Sequence, residues 1–344
     1  MKSTDFKFAI PKTLIAQHPK IPRDECKMMV VNRKTKEIET KKFKEIIDYM
    51  NDGDCLVLND SKVFAARLFG IKEKTNAKIE VFLLRQLSQE ENIWDVLVDP
   101  ARKVRIGNRI FLTKNLYCEV IDNTTSRGRI VRFNYRGDFQ KYIEKLGKTP
   151  LPPYIKRDVT DSDRDNYQTV YAENIGSVAA PTAGLHFSKE LLRKIEKKGV
   201  IILPVTLHIG LGTFRQVEVE DLTKHRMDSE YFEIPDYTAE EVNSAVENKK
   251  KIIACGTSVA RVLEANTTAG RFIRSGKGWT DKFIYPPQSL KVVDKFITNF
   301  HQPQSTMIML VCAFADKDLM MKAYKKAAKE KYRFYSYGDA MFIV

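Results

Sequence analysis

The chain has little with which to build a covalent or metal framework. Its five cysteines, Cys26, Cys55, Cys118, Cys255 and Cys312, are odd in number and scattered, with no Cys-x-x-Cys pair. That spacing excludes a disulfide scaffold and a cysteine-based zinc site, and fits reduced, buried thiols in a cytoplasmic protein. No Asp, Glu and His spacing suits a metal either, so the chemistry expected is acid–base and electrostatic. Long apolar runs are also missing. The longest, 307–315, is too short to span a bilayer. The first ten residues lack the basic, then apolar, then small-residue order of a signal peptide, and none is expected. Cofactor fingerprints are absent: Gly210-Leu211-Gly212 has no third glycine or following helix, and Gly256-Thr257-Ser258 lacks the lysine of a P-loop. Acidic residues are in deficit, 44 against 58 Lys and Arg, for a formal charge of +14. A polyanionic partner follows as one reading, and a lysine-rich surface with no such role as the other.

What is there reads first as α/β. The 344 residues, 43% hydrophobic, suffice for two domains and at least one sizeable core. A short buried strand at 28–31, helical spacing at 43–50 and a strand at 55–58 make a strand–helix–strand opening. Asn59-Asp60-Ser61-Lys62 and Arg67 stand at its carboxyl end, where polar groups line a site or form a hydrogen-bonded turn. From Phe69 the pattern changes to short strands separated by turn signals, with nothing helical between them. Residues 69–149 therefore read as an inserted β-barrel, and 1–68 with 150–344 as a discontinuous α/β domain closed off by the stiff Pro150-Leu151-Pro152-Pro153 connector. The insert carries 16 Lys and Arg against 10 Asp and Glu. Arg127, Arg129, Arg132 and Arg136, interleaved with Phe133 and Tyr135, have the composition of a phosphate-contacting and stacking surface, or of a solvated barrel face.

The chemistry-bearing residues cluster where strands give way to helices. Ser177-Val178-Ala179-Ala180-Pro181-Thr182-Ala183-Gly184-Leu185-His186-Phe187 combines small residues, a stiffening proline and a histidine just ahead of a helix capped by Ser188. A strand over 200–209 ends in Thr206, His208, Gly210 and Gly212, with Thr206 and His208 placed on one side by alternation. His225-Arg226-Met227-Asp228-Ser229-Glu230 sets an imidazole and a carboxylate close in sequence, an acid–base pair or a surface turn. Thr257 and Ser258 between a strand and a helix suit a carboxylate or phosphate. Asn299-Phe300-His301 precedes a hydrophobic helix from 307 to 314. Thr238 with Glu241 reads as a capping box. Four of the five histidines thus stand at element ends, and their convergence on one site is expected.

The 177–187 stretch resembles the signature of the S-adenosylmethionine:tRNA ribosyltransferase-isomerases of queuosine biosynthesis. The resemblance continues, in order, through 59–70, 151–155, 167–172, 205–214, 256–264, 293–314 and 332–343. Asp228 stands where a histidine is usual, Gln302 where leucine, Ala65 where proline and Pro287 where glycine is usual. The resemblance implies transfer and isomerisation of the ribosyl part of S-adenosylmethionine onto 7-aminomethyl-7-deazaguanine at the tRNA wobble position, giving epoxyqueuosine, adenine and methionine. It implies S-adenosylmethionine as a consumed co-substrate, no prosthetic group or metal, no protein partner and no membrane. Base and acid duties fall among His186, His208 and His301. Glu230 would neutralise the sulfonium or the substrate amine, Thr257 and Ser258 would hold the methionine carboxylate, and Asn299 the ribose hydroxyls. Thr182, Thr206, Gly210, Gly212 and Arg67 complete the expected substrate site. A non-catalytic tRNA-binding protein and a methyltransferase are the competing readings.

Overall fold

The computed structural model describes residues 1–124 and 128–344. Along the chain run β1 (Lys27–Val31), β2 (Ile38–Lys42), β3 (Cys55–Asn59) and β4 (Ser61–Val63). Next come β5 (Arg67–Lys72), β6 (Lys78–Ser88), β7 (Ile93–Asp99), β8 (Arg109–Thr113), β9 (Leu116–Asn123) and β10 (Arg129–Tyr135), followed by helices α1 (Phe139–Leu146) and α2 (Asp163–Asn166). The remainder holds β11 (Asn174–Ser177), α3 (Lys189–Lys197), β12 (Ile201–Leu207), β13 (Glu230–Ile234), α4 (Asp236–Glu247), β14 (Ile252–Cys255) and α5 (Thr257–Ala265). It closes with β15 (Gly276–Thr280), β16 (Lys295–Asn299), α6 (Thr306–Ala315), α7 (Lys317–Lys329) and β17 (Ala340–Ile343).

Nine strands form one mixed sheet in the order β15-β13-β12-β3-β14-β16-β17-β1-β2. The central β12, β3, β14 and β16 are mutually parallel, so their carboxyl ends share one edge. Their sequences are near-continuous apolar runs because both faces are covered. Alternation splits the core: Cys55 and Val57 join a large cluster with α4 to α7, whereas Leu56 and Leu58 join a smaller one with α3 and the 3-10 turn Phe43–Tyr49. α6 is apolar nearly all round, as a helix sunk in that larger cluster must be. α3 is amphipathic. Ser188 Oγ accepts from Leu191 N at 3.0 Å, and Leu191 and Ile195 pack inward, each burial contributing roughly 1.5–3 kcal/mol. The expected capping box at Thr238 is not formed. Helix α4 begins at Asp236, and Thr238, inside it, donates to Pro204 O at 2.8 Å.

β10-β7-β6-β5-β8-β9 close into a barrel, so the chain is α/β with an inserted all-β barrel. Val81, Val96, Val120, Val131 and Phe133 fill its interior. Helix α1, capped by Asp138, packs Phe139 onto Phe133 and Trp94, with ring centroids 4.8 and 5.8 Å apart. Chain entry and exit lie side by side, since Arg67 and Lys148 exchange backbone hydrogen bonds. At Gly147 a Cβ would stand 2.0 Å from Ala65 O, so this crossing requires glycine. Among the described residues no helix is long and apolar enough to cross a membrane.

Candidate active site

Buried polar side chains tie the carboxyl ends of the parallel strands together. Asn59 Oδ1 accepts from Ser61 N and Leu207 N, both at 3.0 Å, while Nδ2 donates to Leu207 O at 3.0 Å and Ser258 Oγ at 3.2 Å. One amide thus fixes the ends of β3 and β12 and the start of α5. Next to it, Asp60 accepts from Thr206 Oγ1 at 2.7 Å and Asn174 Nδ2 at 2.9 Å, and burial raises its carboxyl above the usual range. Thr206 is committed to this network and does not line the chamber above it.

That chamber, of about 50 Å³, opens over the strand ends and is lined by Thr182, Thr257, Ser258, Thr298, Asn299 and His301 among others. The first residues of α5, Thr257 and Ser258, line it, and Gly256, at φ 94°, makes the turn that only glycine takes without strain. A side lobe of about 30 Å³ shares Thr213, Thr257 and Ser258 with the chamber and adds Glu230 and Arg261. Beyond lies a cleft of about 980 Å³ between barrel and sheet, lined by His208, Gly210, Tyr231, Trp279 and barrel residues. Ile209 borders all three spaces, whereas His208, next to it in the chain, lines the cleft alone.

The histidines separate by environment. His301 lines the chamber with Nε2 2.6 Å from Thr298 Oγ1, and burial pushes it down to about 3. His186 sits behind the chamber wall. Asn299 Nδ2 donates to its Nε2 at 3.1 Å, which leaves the Nδ1 proton directed at Cys26 Sγ, 3.2 Å away. Burial, aided by Arg333 and Arg23, pushes His186 down to about 3, and burial raises the Cys26 thiol. Despite its Cys-His-Asn order this trio is uncharged, and neither Cys26 nor His186 lines any of these spaces. It therefore positions Asn299, whose Oδ1 accepts from Thr182 Oγ1 at 3.0 Å. His225 lines a separate cavity of about 300 Å³ beside Asp228. The expected convergence of four histidines is therefore not formed.

His208 is held differently. Its ring stacks on Tyr231, centroids 5.6 Å apart, and crowds Gly176 so closely that a Cβ there would lie 2.5 Å from Nε2. Nδ1 is 2.8 Å from Ser61 Oγ, which donates to Ser177 Oγ at 2.7 Å, and Ser177 Oγ accepts from Ile209 N at 2.7 Å. Burial lowers the imidazole, with Glu233 opposing.

Glu230 is buried in an ion pair with Arg261, and Oε1 also accepts from Gly210 N at 2.8 Å. At Gly212 a Cβ would meet Asp228 Oδ2 at 2.3 Å. Arg67 lies on a barrel strand in a bidentate pair with Glu80 at 2.7 and 2.9 Å, away from the chamber and the cleft. Arg129 is turned onto Ala101 O, Val104 O and Gly128 O, whereas Arg132 and Arg136 are exposed. Arg127 lies outside the described residues. The sequence raised Asn59 and Ser61 as polar groups closing β3, left open between a site and a hydrogen-bonded turn, and Ser177 as the head of the 177–187 stretch. It assigned no role to Arg261, whose partner Glu230 lies 31 residues away. Among the described residues no group of three or more His, Cys, Asp or Glu is placed to hold a metal.

The same chain-wide pattern appears in known proteins. The profile of the family described as queuosine biosynthesis protein matches residues 3–343. The S-adenosylmethionine:tRNA ribosyltransferase-isomerase of Cytophaga hutchinsonii is 57% identical and that of Chloroherpeton thalassium 56% identical, each over 100% of both chains. The crystal structure of the S-adenosylmethionine tRNA ribosyltransferase from Thermotoga maritima is similar with a TM-score of 0.56 at 36% identity, covering 99% of this chain and 100% of that one. A match of this extent, in a fold that carries its signature loop at the carboxyl edge of the sheet, shows that the chain belongs to the queuosine biosynthesis protein family.

Proposed function

We propose that this chain transfers the ribosyl part of S-adenosylmethionine to 7-aminomethyl-7-deazaguanine at the tRNA wobble position and isomerises it, giving epoxyqueuosine, adenine and methionine. The observation that carries the reading is the end-to-end match to relatives named for ribosyl transfer and isomerisation. The site supplies the chemistry such a reaction needs. A sulfonium acidifies the neighbouring ribose C–H, a base takes that proton, and an acid protonates the departing adenine.

In this reading S-adenosylmethionine is consumed, with no prosthetic group, metal or protein partner. Its carboxylate meets the N–H groups of α5 with Thr257 and Ser258. Its ribose meets Asn299 and Thr182, and its adenine lies toward His301 and Thr298. At about 50 Å³ the chamber is smaller than a nucleoside-sized ligand needs, so binding widens it. His208, on the cleft side of the shared wall residue Ile209, acts as the base. His186 acts through Asn299 as a positioning residue, and Glu230 with Arg261 anchors the Gly210 turn. The barrel, with Arg132 and Arg136 exposed, contacts the tRNA backbone, and residues 69–149 act as a separate tRNA-facing unit.

Mass spectrometry of products from purified protein, S-adenosylmethionine and tRNA bearing the aminomethyl base tests the reading. Equal release of adenine and methionine with epoxyqueuosine in the tRNA is the expected result. S-adenosylhomocysteine would instead mean methyl transfer, and tRNA binding without adenine release would mean a binding protein.

A further inference from the structure

The large cleft between barrel and sheet holds a carboxylate that the protein does not satisfy. Along β7, Trp94, Val96 and Val98 belong to the barrel core, so Asp95 between them faces outward, and it lines the cleft. Asp95 is only 8% exposed, yet its Oδ1 has no hydrogen-bond partner. Its Oδ2 reaches Arg85 Nε at 3.6 Å, beyond hydrogen-bond length. Arg85 is half exposed and lies over the Trp279 ring, 5.6 Å from its centroid. A second carboxylate, Asp228, lines the same cleft. With Arg85 beyond hydrogen-bond length and Oδ1 bare, the carboxylate is under-compensated until a hydrogen-bonding cation joins it.

The remaining walls specify what carries that cation. Trp279 is 55% exposed, meets Tyr231 edge-on at 5.8 Å, and Tyr231 stacks on His208. Exposed and half-buried aromatic rings beside an acid with one bare oxygen and only a long ion pair to Arg85 suit a planar, stacking body bearing a compact positive group. Neutral hydrogen bonding would not balance Asp95, and a phosphate would be repelled by it.

We infer that Asp95 is a specificity-determining residue that pairs with a primary ammonium on a planar base entering this cleft. The inference rests on the proposed reaction for the identity of that base, 7-aminomethyl-7-deazaguanine. The other cation in the reaction, the sulfonium, is placed in the chamber, which Asp95 does not line. Paired with Asp95, the aminomethyl arm is held at the cleft and the base itself can stack toward Trp279.

The test uses the full chain, wild type and Asp95→Asn, with three anticodon stem-loops carrying the aminomethyl base, its 7-cyano analogue or guanine. Fluorescence anisotropy gives their affinities, and calorimetry gives that for S-adenosylmethionine. Expected is a wild-type preference of roughly 10- to 100-fold for the aminomethyl stem-loop over the cyano one, the usual range for a charge-assisted hydrogen bond. Asp95→Asn should level the two while leaving guanine and S-adenosylmethionine affinities unchanged. Retained preference in Asp95→Asn overturns the inference. Equal weakening toward all three stem-loops overturns it in favour of a structural role, and weakened S-adenosylmethionine binding with the preference intact assigns the charge to the sulfonium. If the wild type releases no adenine with the aminomethyl stem-loop, the reaction assignment fails and this inference with it. Turnover by the wild type with retained preference in the variant overturns this inference alone.

Discussion

His208 Nδ1 and Ser61 Oγ lie 2.8 Å apart, and because Ser61 gives its own proton to Ser177, the imidazole must donate from Nδ1. The basic lone pair is then on Nε2. Burial lowers the pKa from 6.5, so the ring is neutral at ordinary pH and serves as a base without prior deprotonation. His208→Ala should lower kcat by about 10²- to 10⁴-fold, with S-adenosylmethionine affinity kept. The acid limb of kcat/KM should fall below pH 6.5, because the lowered folded-state pKa keeps the base free there. A pH–rate profile checks both, and Ser61→Ala should lower kcat with a change in that limb.

Gly176 and Gly212 both meet a side chain, with opposite consequences for substitution. At Gly176 the obstacle is the His208 ring, which Tyr231 backs on its other side and which cannot retreat. At Gly212 it is Asp228, an exposed and flexible carboxylate that can swing away. Gly176→Ala should cost at least about tenfold in kcat along with about 1–3 kcal/mol of stability from overpacking. Gly212→Ala should leave kcat within about twofold, since moving a surface side chain costs little. Steady-state rates and urea melts on the two variants separate them.

Features encoded locally were legible in the sequence. The apolar run of β3, the Ser188 cap of α3 and the turn signals of the barrel each reflect a single element's period or cap, and the structure forms all three. The roles of the histidines are not local. His186 is fixed by Cys26 and Asn299, 160 and 113 residues away, and nothing in its own loop says which way it turns. Alternation paired Thr206 with His208, but β12 ends at Leu207, so His208 has left the pleat while Thr206 remains bound to Asp60. Asp95 reads as an ordinary outward strand residue, and nothing local says that it lines a cleft or lacks a partner for one oxygen.

Two buried histidines make the fold acid-sensitive. His186 and His301 each titrate near 3 when folded and near 6.5 when unfolded. Between those values the unfolded chain binds protons that the folded chain refuses, so their stability is fully present above pH 6.5 and lost as pH falls. The slope is about 1.4 kcal/mol per pH unit for each, so about 4 kcal/mol disappears between pH 7 and pH 5. Urea unfolding at the two pH values measures it. His186→Gln, with no titrating ring, should remove about half of the loss.

The barrel arginines should divide by geometry. Arg129 is spent on three backbone carbonyls, so Arg129→Ala should lower stability by about 1–3 kcal/mol through the Val104 and Gly128 acceptors it leaves part-buried. Arg132 and Arg136 are exposed. Replacing either with alanine should weaken tRNA binding without changing the melting temperature, and should reduce the slope of log affinity against log salt by about 0.7 to 0.9 for each phosphate left without its cation. An unchanged slope for both variants would place the tRNA elsewhere.

Glu230 and Arg261 form a buried pair, and their partners decide what each substitution does. Glu230 Oε1 also receives Gly210 N, while Arg261 Nε donates to Lys282 O at 3.0 Å. In Glu230→Gln the amide oxygen can still accept from Gly210, but the Arg261 charge is left buried without its counter-ion. That should cost about 3–5 kcal/mol. Arg261→Met alone leaves the carboxylate in the same position and should cost a similar amount. Combining Glu230→Gln with Arg261→Met removes both charges together, so the double variant should recover much of the loss and yield a large coupling energy in a double-mutant cycle. Since the carboxylate is already neutralised by Arg261, S-adenosylmethionine affinity in the double variant should stay within about threefold of wild type. A loss near the 2–5 kcal/mol of a broken buried charge pair would instead mean that Glu230 meets the sulfonium directly.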